Sequence, residues 1–340
     1  MRYKLLGKSG LRVSELCLGT MTFGEDWGWG ASKAVSREIF DLFAAAGGNF
    51  IDTSNNYTNG TSERFVGEFI ANERERFVVA TKYALNTRKD DPNAGGNQRK
   101  NMVQALNASL KRLNVEYVDL LWLHMWDYMT PVEEVMRALD DVVRAGKVLY
   151  IGMSDTPAWV QAQANTLAEL RGWSRLVATQ VAYSLAARDI EREIMPMAKA
   201  HDLAVAAWDI LDGGALTGKY NTPSDEPKRS SGASPRVLAI AAELIKMGQE
   251  IGRTPAQIAI NWVRQQQAKA LVIPIVGARS AAQMRDNLAC LEFELTPQQV
   301  QQLDALNPLE LGFPAAFLAS PHVKNLIFGD TYPLIDSHRG

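Results

Sequence analysis

Tyr117-Val118-Asp119-Leu120-Leu121-Trp122-Leu123 is followed by Thr130-Pro131-Val132-Glu133 and then by Val148-Leu149-Tyr150-Ile151-Gly152. The two outer runs are apolar almost throughout and of strand length, which suits strands covered on both faces in a parallel sheet. The tetrapeptide between them has the marks of a helix start: a threonine to cap, a proline at the first helical position and an acidic first turn. A strand, a helix and a second strand in this order form one right-handed crossover unit.

The same two textures alternate along the rest of the chain. Strands are expected at residues 15–19, 49–52, 77–81, 117–123, 148–152, 176–181, 203–208 and 270–274. Helices are expected at 33–46, 97–113, 191–200, 234–251, 255–267 and 280–288. Thr156-Pro157 and Thr254-Pro255 repeat the Thr-Pro helix-start device. Eight strands with such alternation point to an α/β protein built as a closed (β/α)8 TIM barrel, in one domain spanning 1–340. A doubly wound open sheet is the runner-up, but no GxGxxG follows the first strand. Before the barrel, residues 3–6 and 11–14 flank Gly7-Lys8-Ser9-Gly10 and read as a hairpin. The stretch 220–235 is polar and rich in Pro and Ser, a loop, and the chain after Leu303 reads as an extension over the active-site face.

Bulk properties exclude several classes. Of 340 residues 46% are hydrophobic, and 36 basic groups nearly balance 38 acidic ones, so no basic footprint for nucleic acid or anionic membrane exists. Cys17 and Cys290 are far apart, and His124, His201, His322 and His338 form no ligand-like spacing, which argues against a disulfide scaffold and a metal site. The first residues lack a signal-peptide pattern, and runs such as Leu271-Val272-Ile273-Pro274-Ile275-Val276 are too short to cross a bilayer. A cytoplasmic protein acting on a small molecule is expected, with its oligomeric state left open.

A barrel places chemistry just beyond the C-terminal ends of its strands. Asp52, Lys82, His124, Ser154 with Asp155, Gln180, Trp208 and Gly277 all fall there. The segment Asn49-Phe50-Ile51-Asp52-Thr53-Ser54-Asn55-Asn56-Tyr57 resembles the signature of the aldo-keto reductases, with strand ends at Lys82 and His124 matching two further positions. Ile273-Pro274-Ile275-Val276-Gly277-Ala278-Arg279-Ser280 and Gly213-Gly214-Ala215-Leu216-Thr217-Gly218-Lys219 are similar to the nucleotide-binding end of that family, in its aryl-alcohol-dehydrogenase-like and potassium-channel β-subunit-like branch.

The resemblance implies a catalytic set of Asp52, Tyr57, Lys82 and His124, and the residue chemistry supports it. Hydride addition to a carbonyl leaves negative charge on oxygen that a tyrosine can protonate, provided an ammonium steadies the phenolate. Lys82 is expected to bring the Tyr57 pKa down, Asp52 to hold Lys82, and His124 to hydrogen-bond the carbonyl oxygen. The cofactor implied is NADP(H), with NADPH preferred. Its expected contacts are Thr20, Met21, Asp52, Ser154, Asp155, Gln180, Trp208, Asp209, Ile210, Leu211, Gly213, Gly214, Lys219, Gly277, Arg279, Gln283, Asp286 and Asn287. Ser154, Asp155 and Gln180 match positions that bind the carboxamide, and Trp208 the ring that stacks on the nicotinamide; a barrel-filling aromatic is the alternative. Glycines 213 and 214 would open backbone amides to the pyrophosphate. Arg279, Gln283 and Asn287 share one helix face, which suits a 2′-phosphate.

Two positions depart from the family pattern. Asp155 stands where many relatives have Asn, and Asp209-Ile210-Leu211 replaces Ser-Pro-Leu. For substrate, Trp27, Trp29, Tyr57, His124 and Trp126 are expected to face an aldehyde or ketone, with Phe23, Tyr128, Phe313 and Phe317 nearby. The alternative function is a cofactor-sensing regulatory subunit on the same fold, which can lack the histidine present here. An alcohol dehydrogenase would use the same residues in reverse.

Overall fold

The computed structural model describes residues 1–221 and 232–336. Most of the polar loop expected at 220–235, and His338, lie outside them. Two short strands open the chain, β1 (Tyr3–Leu5) and β2 (Arg12–Ser14), paired antiparallel with Lys4 opposite Val13. The barrel strands are β3 (Cys17–Gly19), β4 (Phe50–Asp52), β5 (Val78–Tyr83), β6 (Val118–Leu123), β7 (Val148–Ser154), β8 (Leu176–Ala182), β9 (Ala204–Trp208) and β10 (Leu271–Val276). Each is parallel to its neighbours, and β10 pairs with both β9 and β3, so the sheet closes in sequence order.

Around the barrel run α1 (Lys33–Ala45), α2 (Thr61–Ile70), α3 (Arg99–Leu113), α4 (Val132–Arg144), α5 (Ala158–Arg171) and α6 (Ile194–His201). They continue as α7 (Pro235–Ile251), α8 (Pro255–Arg264), α9 (Ala281–Leu288) and α10 (Pro297–Ala305). Side chains alternate between two cores, as the period of two in a strand demands. Ile51, Val79, Leu121, Ile151 and Val205 pack outward under the helices, whereas Phe50, Ala80, Leu120, Trp122 and Ile273 fill the barrel. Leu6 and Val13 of the hairpin belong to that inner core, so β1 and β2 plug one end. Trp122 is fully buried there, and Gly152 beside it is glycine because a Cβ would overlap the indole. Truncating Trp122 to alanine would leave a void costing about 3–5 kcal/mol.

Three expectations need correction. Thr254 does cap α8, in a full capping box with Gln257. Thr130 and Thr156 do not cap: α4 and α5 begin after Pro131 and Pro157, because the two hydroxyls donate instead to Asp127 and to the Ser154 carbonyl. Helix α2 was not expected at all. It starts behind Gly60, whose φ of 86° and missing side-chain cap leave only the acidic Glu63 of the first turn as a start signal.

The C-terminal extension forms α11 (Ala315–Ala319) and α12 (Pro321–Phe328). Its root is tied to the loop after β8: Asn307 Nδ2 donates to the carbonyls of Leu185 and Ala186, and Arg192 to that of Glu310. Beyond this root, Phe313 and Phe317 are exposed, so the two expected rim aromatics do not wall a site.

Candidate active site

Strand register brings the first three site residues together. Asp52 and Lys82 end adjacent strands β4 and β5, and Tyr57 follows five residues after Asp52 in a turn. The turn reverses tightly because Thr58 and Asn59 both adopt left-handed φ values of 45° and 55°. Its placement is secured by the Thr58 hydroxyl, which donates to the Phe23 carbonyl at 2.6 Å.

Lys82 is wholly buried and spends its three hydrogens on three acceptors. These are Asp52 Oδ2, the Thr53 carbonyl at 2.9 Å and Tyr57 Oη at 2.9 Å. Asp52 is satisfied on its other oxygen by Gln180 Nε2, at 2.9 Å. A buried ammonium is tolerable only with such complete pairing. Burial alone would lower the Lys82 pKa, but Asp52 and Tyr57 outweigh it and raise the pKa, so the ammonium persists.

Tyr57 departs from expectation. Burial pushes its phenol pKa up, and Lys82 opposes this without overcoming it, with Asp52 adding to the rise. In the resting site Tyr57 is therefore a protonated phenol. Because Lys82 donates to its oxygen, the Tyr57 hydrogen remains for a ligand.

His124 lies just past β6, its backbone N–H bonded to the Tyr83 carbonyl at 2.9 Å. Its ring stands edge-on to Tyr57, with centroids 6.0 Å apart, and Nδ1 is 3.2 Å from Ser54 Oγ. Burial, aided by the Lys82 charge, lowers its pKa to about 2, so the ring is neutral at any ordinary pH. Ser54 carried no assigned role in the sequence, where it read only as part of a polar turn.

Of the expected cofactor residues, some face the rim and others are already engaged. Trp208 is 37% exposed at the end of β9, which rules out the barrel-filling alternative. Its Nε1 donates to Asp155 Oδ1 at 3.2 Å, and burial raises the Asp155 pKa. Ser154 is buried at the end of β7 beside Asp155. Gln180 is buried and commits its Nε2 to Asp52. Thr20 is buried, its hydroxyl donating to the Asp52 carbonyl and meeting Ser62 Oγ at 2.8 Å, while Met21 next to it is partly exposed.

The glycine turn is the clearest correction. The Gly213 amide donates to Asp209 Oδ1 at 2.7 Å and the Gly214 amide to the Leu211 carbonyl at 2.9 Å, so neither is open to a pyrophosphate. The Asp209 that replaces the usual serine supplies one of those acceptors. Ile210 is buried, and Lys219 lies against Gly214.

At the other end of the rim, Ser280 caps α9, Gln283 Oε1 accepts from the Arg279 amide at 2.8 Å, and Asn287 Nδ2 donates to the Gly277 carbonyl at 3.1 Å. Arg279 thus precedes the Ser280 cap and is not on the helix itself, while Gln283 bonds its amide and Asn287 turns back to Gly277. Asp286 points elsewhere, accepting from Thr254 and Gln257 at the start of α8.

The expected substrate aromatics divide. Trp27 and Trp29 are half-buried and pack on each other at 5.6 Å, whereas Phe23 and Trp126 are core residues. Tyr128 is exposed and lines a groove of about 360 Å³ with Asp155, Pro157, Val181, Ile190 and Ile194.

A closed parallel barrel thus carries the Asp52-Lys82-Tyr57 chain at its strand ends, with neutral His124 beside it. The family model of the aldo/keto reductases matches residues 15–308, and the chain belongs to that family. A norsolorinic acid reductase of Emericella nidulans is 37% identical across 93% of this chain and 84% of its own length. A putative aryl-alcohol dehydrogenase of Saccharomyces cerevisiae is 34% identical over 93% of the chain and 89% of its own. An aryl-alcohol dehydrogenase of Phanerodontia chrysosporium whose name specifies NADP(+) is 36% identical, over 94% and 87%. The protein is an enzyme of this family, an oxidoreductase acting on small carbonyl or alcohol substrates, and the family uses nicotinamide cofactors. Among the described residues no helix is long and apolar enough to cross a membrane.

Proposed function

We propose that the protein moves a hydride between NADP(H) and an aldehyde or ketone, or the matching alcohol in reverse, with Tyr57 as general acid and base. The observation that carries this reading is the Lys82–Tyr57 hydrogen bond of 2.9 Å. It leaves the phenol hydrogen for the substrate oxygen and puts a permanent ammonium beside the phenolate that proton transfer creates. Asp52 keeps Lys82 in place and charged. His124, neutral, polarises the carbonyl by a hydrogen bond and adds no charge of its own.

Several features fit a bound nicotinamide nucleotide. Trp208 offers an exposed indole, Asp155 an acceptor beside it, and the capped start of α9 brings Arg279 and Gln283 to one place. The cofactor supplies the hydride; the chain orients the acceptor and manages the proton. A guanidinium at a helix start favours the additional phosphate of NADPH.

The raised Tyr57 pKa favours carbonyl reduction, since the donor form is the resting one. The groove lined by Tyr128, Pro157, Ile190 and Ile194 next to Asp155, with the names of the relatives, supports an aromatic carbonyl as substrate. The test is NADPH oxidation followed across a panel of aromatic and aliphatic aldehydes and ketones. Turnover with aryl carbonyls is expected, and cofactor binding without turnover on any of them would point to the regulatory-subunit alternative.

A further inference from the structure

We propose that Ser54, steered by Asn56, decides which ring nitrogen of His124 carries the proton, and thereby makes His124 a hydrogen-bond donor toward the substrate oxygen. The proposal rests on reading His124 as the group that faces that oxygen.

A neutral imidazole has one N–H, and the partner of one nitrogen determines whether the other can donate. For His124 the partner at Nδ1 is Ser54 Oγ, 3.2 Å away and fully buried. The Ser54 hydroxyl has a single hydrogen and three neighbours. Besides Nδ1 these are Asn56 Oδ1 at 2.8 Å and Asn55 Oδ1 at 3.4 Å. It can donate to one of them at a time.

Asn55 Oδ1 is the most distant of the three, which leaves two main proton arrangements. When Asn56 presents Oδ1, Ser54 donates to it and must accept from Nδ1–H. Nε2 then carries only a lone pair, which repels a carbonyl oxygen. A half-turn of the Asn56 amide presents Nδ2 instead. Asn56 then donates to Ser54, Ser54 donates to Nδ1, and Nε2 carries the hydrogen. The two amide ends have the same shape, so the exchange needs no other movement. Asn56 is only half-buried, so its amide can be rehydrated as it turns. The proton count is unchanged: Nδ1 loses one proton and Nε2 gains one. A carbonyl substrate needs the second arrangement, which makes Ser54 and Asn56 positioning residues for His124.

The test is nitrogen-15 NMR of the full chain with labelled histidines, the His124 signal being assigned by its loss in His124→Gln. The wild type is expected to show neutral His124 protonated on Nε2. Asn56→Asp keeps the shape but can only accept, so it should draw the Ser54 hydrogen and shift His124 to the Nδ1–H form. Its kcat should fall by roughly 10²-fold with KM little changed. Ser54→Ala should leave a mixture of both forms. An unaltered tautomer in both variants overturns the proposal even if His124→Gln abolishes turnover. Full turnover by His124→Gln would instead remove the underlying reading of His124, whatever the tautomers show.

Discussion

Lys82 and Asp52 close an ion pair across the β4–β5 pairing, with neither side chain reaching water. The pair serves two ends at once. It makes burial of the ammonium tolerable, and it fixes Nζ where Tyr57 Oη can use it. Gln180 and the Thr53 carbonyl complete the coordination, so the charge has one geometry available to it.

Removing one partner should therefore cost both stability and activity. In Lys82→Met the Asp52 carboxylate stays buried without its cation, and a loss of about 3–5 kcal/mol is expected. Adding Asp52→Asn removes the stranded charge and should recover most of the stability but none of the turnover. Urea unfolding midpoints and NADPH oxidation rates on the three proteins check this. A single variant as stable as the wild type would mean that the pair is not buried as found.

Tyr57→Phe deletes one oxygen and leaves the ring against His124. Turnover should be lost while NADPH still binds, as read by quenching of tryptophan fluorescence. Substantial residual reduction would transfer the proton-donor role to another group.

His124 links pH to stability. Its folded pKa of about 2 lies well below the ordinary value near 6.5, so the unfolded chain binds the proton more readily. The sign is then set: the contribution is complete above pH ~6.5 and declines as pH falls toward the folded value. Between those limits one such group gives up to about 1.4 kcal/mol per pH unit. His124→Gln should flatten the loss of stability between about pH 6 and pH 4, measured by urea unfolding. Parallel curves for the two proteins would show that His124 is not held neutral. Turnover over the same range should show no titration of His124.

Much of this was legible in the sequence, for physical reasons. The buried parallel strands are apolar runs, and the closed barrel emerges from counting them. Asp52, Lys82 and His124 were legible because strand ends deliver side chains to one rim, and Tyr57 through the resemblance of the segment that follows Asp52. What was hidden depends on through-space partners. Nothing in the order of residues shows that Gln180 reaches Asp52, 128 positions earlier, or that Asp209 would occupy the Gly213 amide. The sign of the Tyr57 shift was also out of reach, because it is a contest between burial and Lys82 that only packing decides. Helix α2 escaped because Gly60 starts it without a capping side chain.

Asp155 and Trp208 give a prediction about cofactor hold. The Asp155 carboxylate takes the indole N–H on Oδ1, and its second oxygen can accept from a carboxamide. Asp155→Asn offers one acceptor oxygen where there were two, so the indole and the carboxamide must share it. A several-fold rise in the NADPH dissociation constant is expected, with kcat affected less. An unchanged constant would place the carboxamide away from Asp155.

The proposed preference for NADPH gives a prediction at Arg279. Its backbone amide is already satisfied by Gln283, in the first turn of α9 behind the Ser280 cap. A 2′-phosphate held there gains a charge-assisted hydrogen bond worth about 1.5–3 kcal/mol, which NADH cannot make. Arg279→Ala should therefore raise the dissociation constant for NADPH by roughly tenfold to a hundredfold and leave that for NADH nearly unchanged. Fluorescence titration of both nucleotides at two salt concentrations distinguishes this contact from general attraction, because a loose electrostatic contribution would fall for both as salt rises. Equal weakening of the two nucleotides would remove Arg279 from the 2′-phosphate and leave the preference to Lys219 or to no single residue.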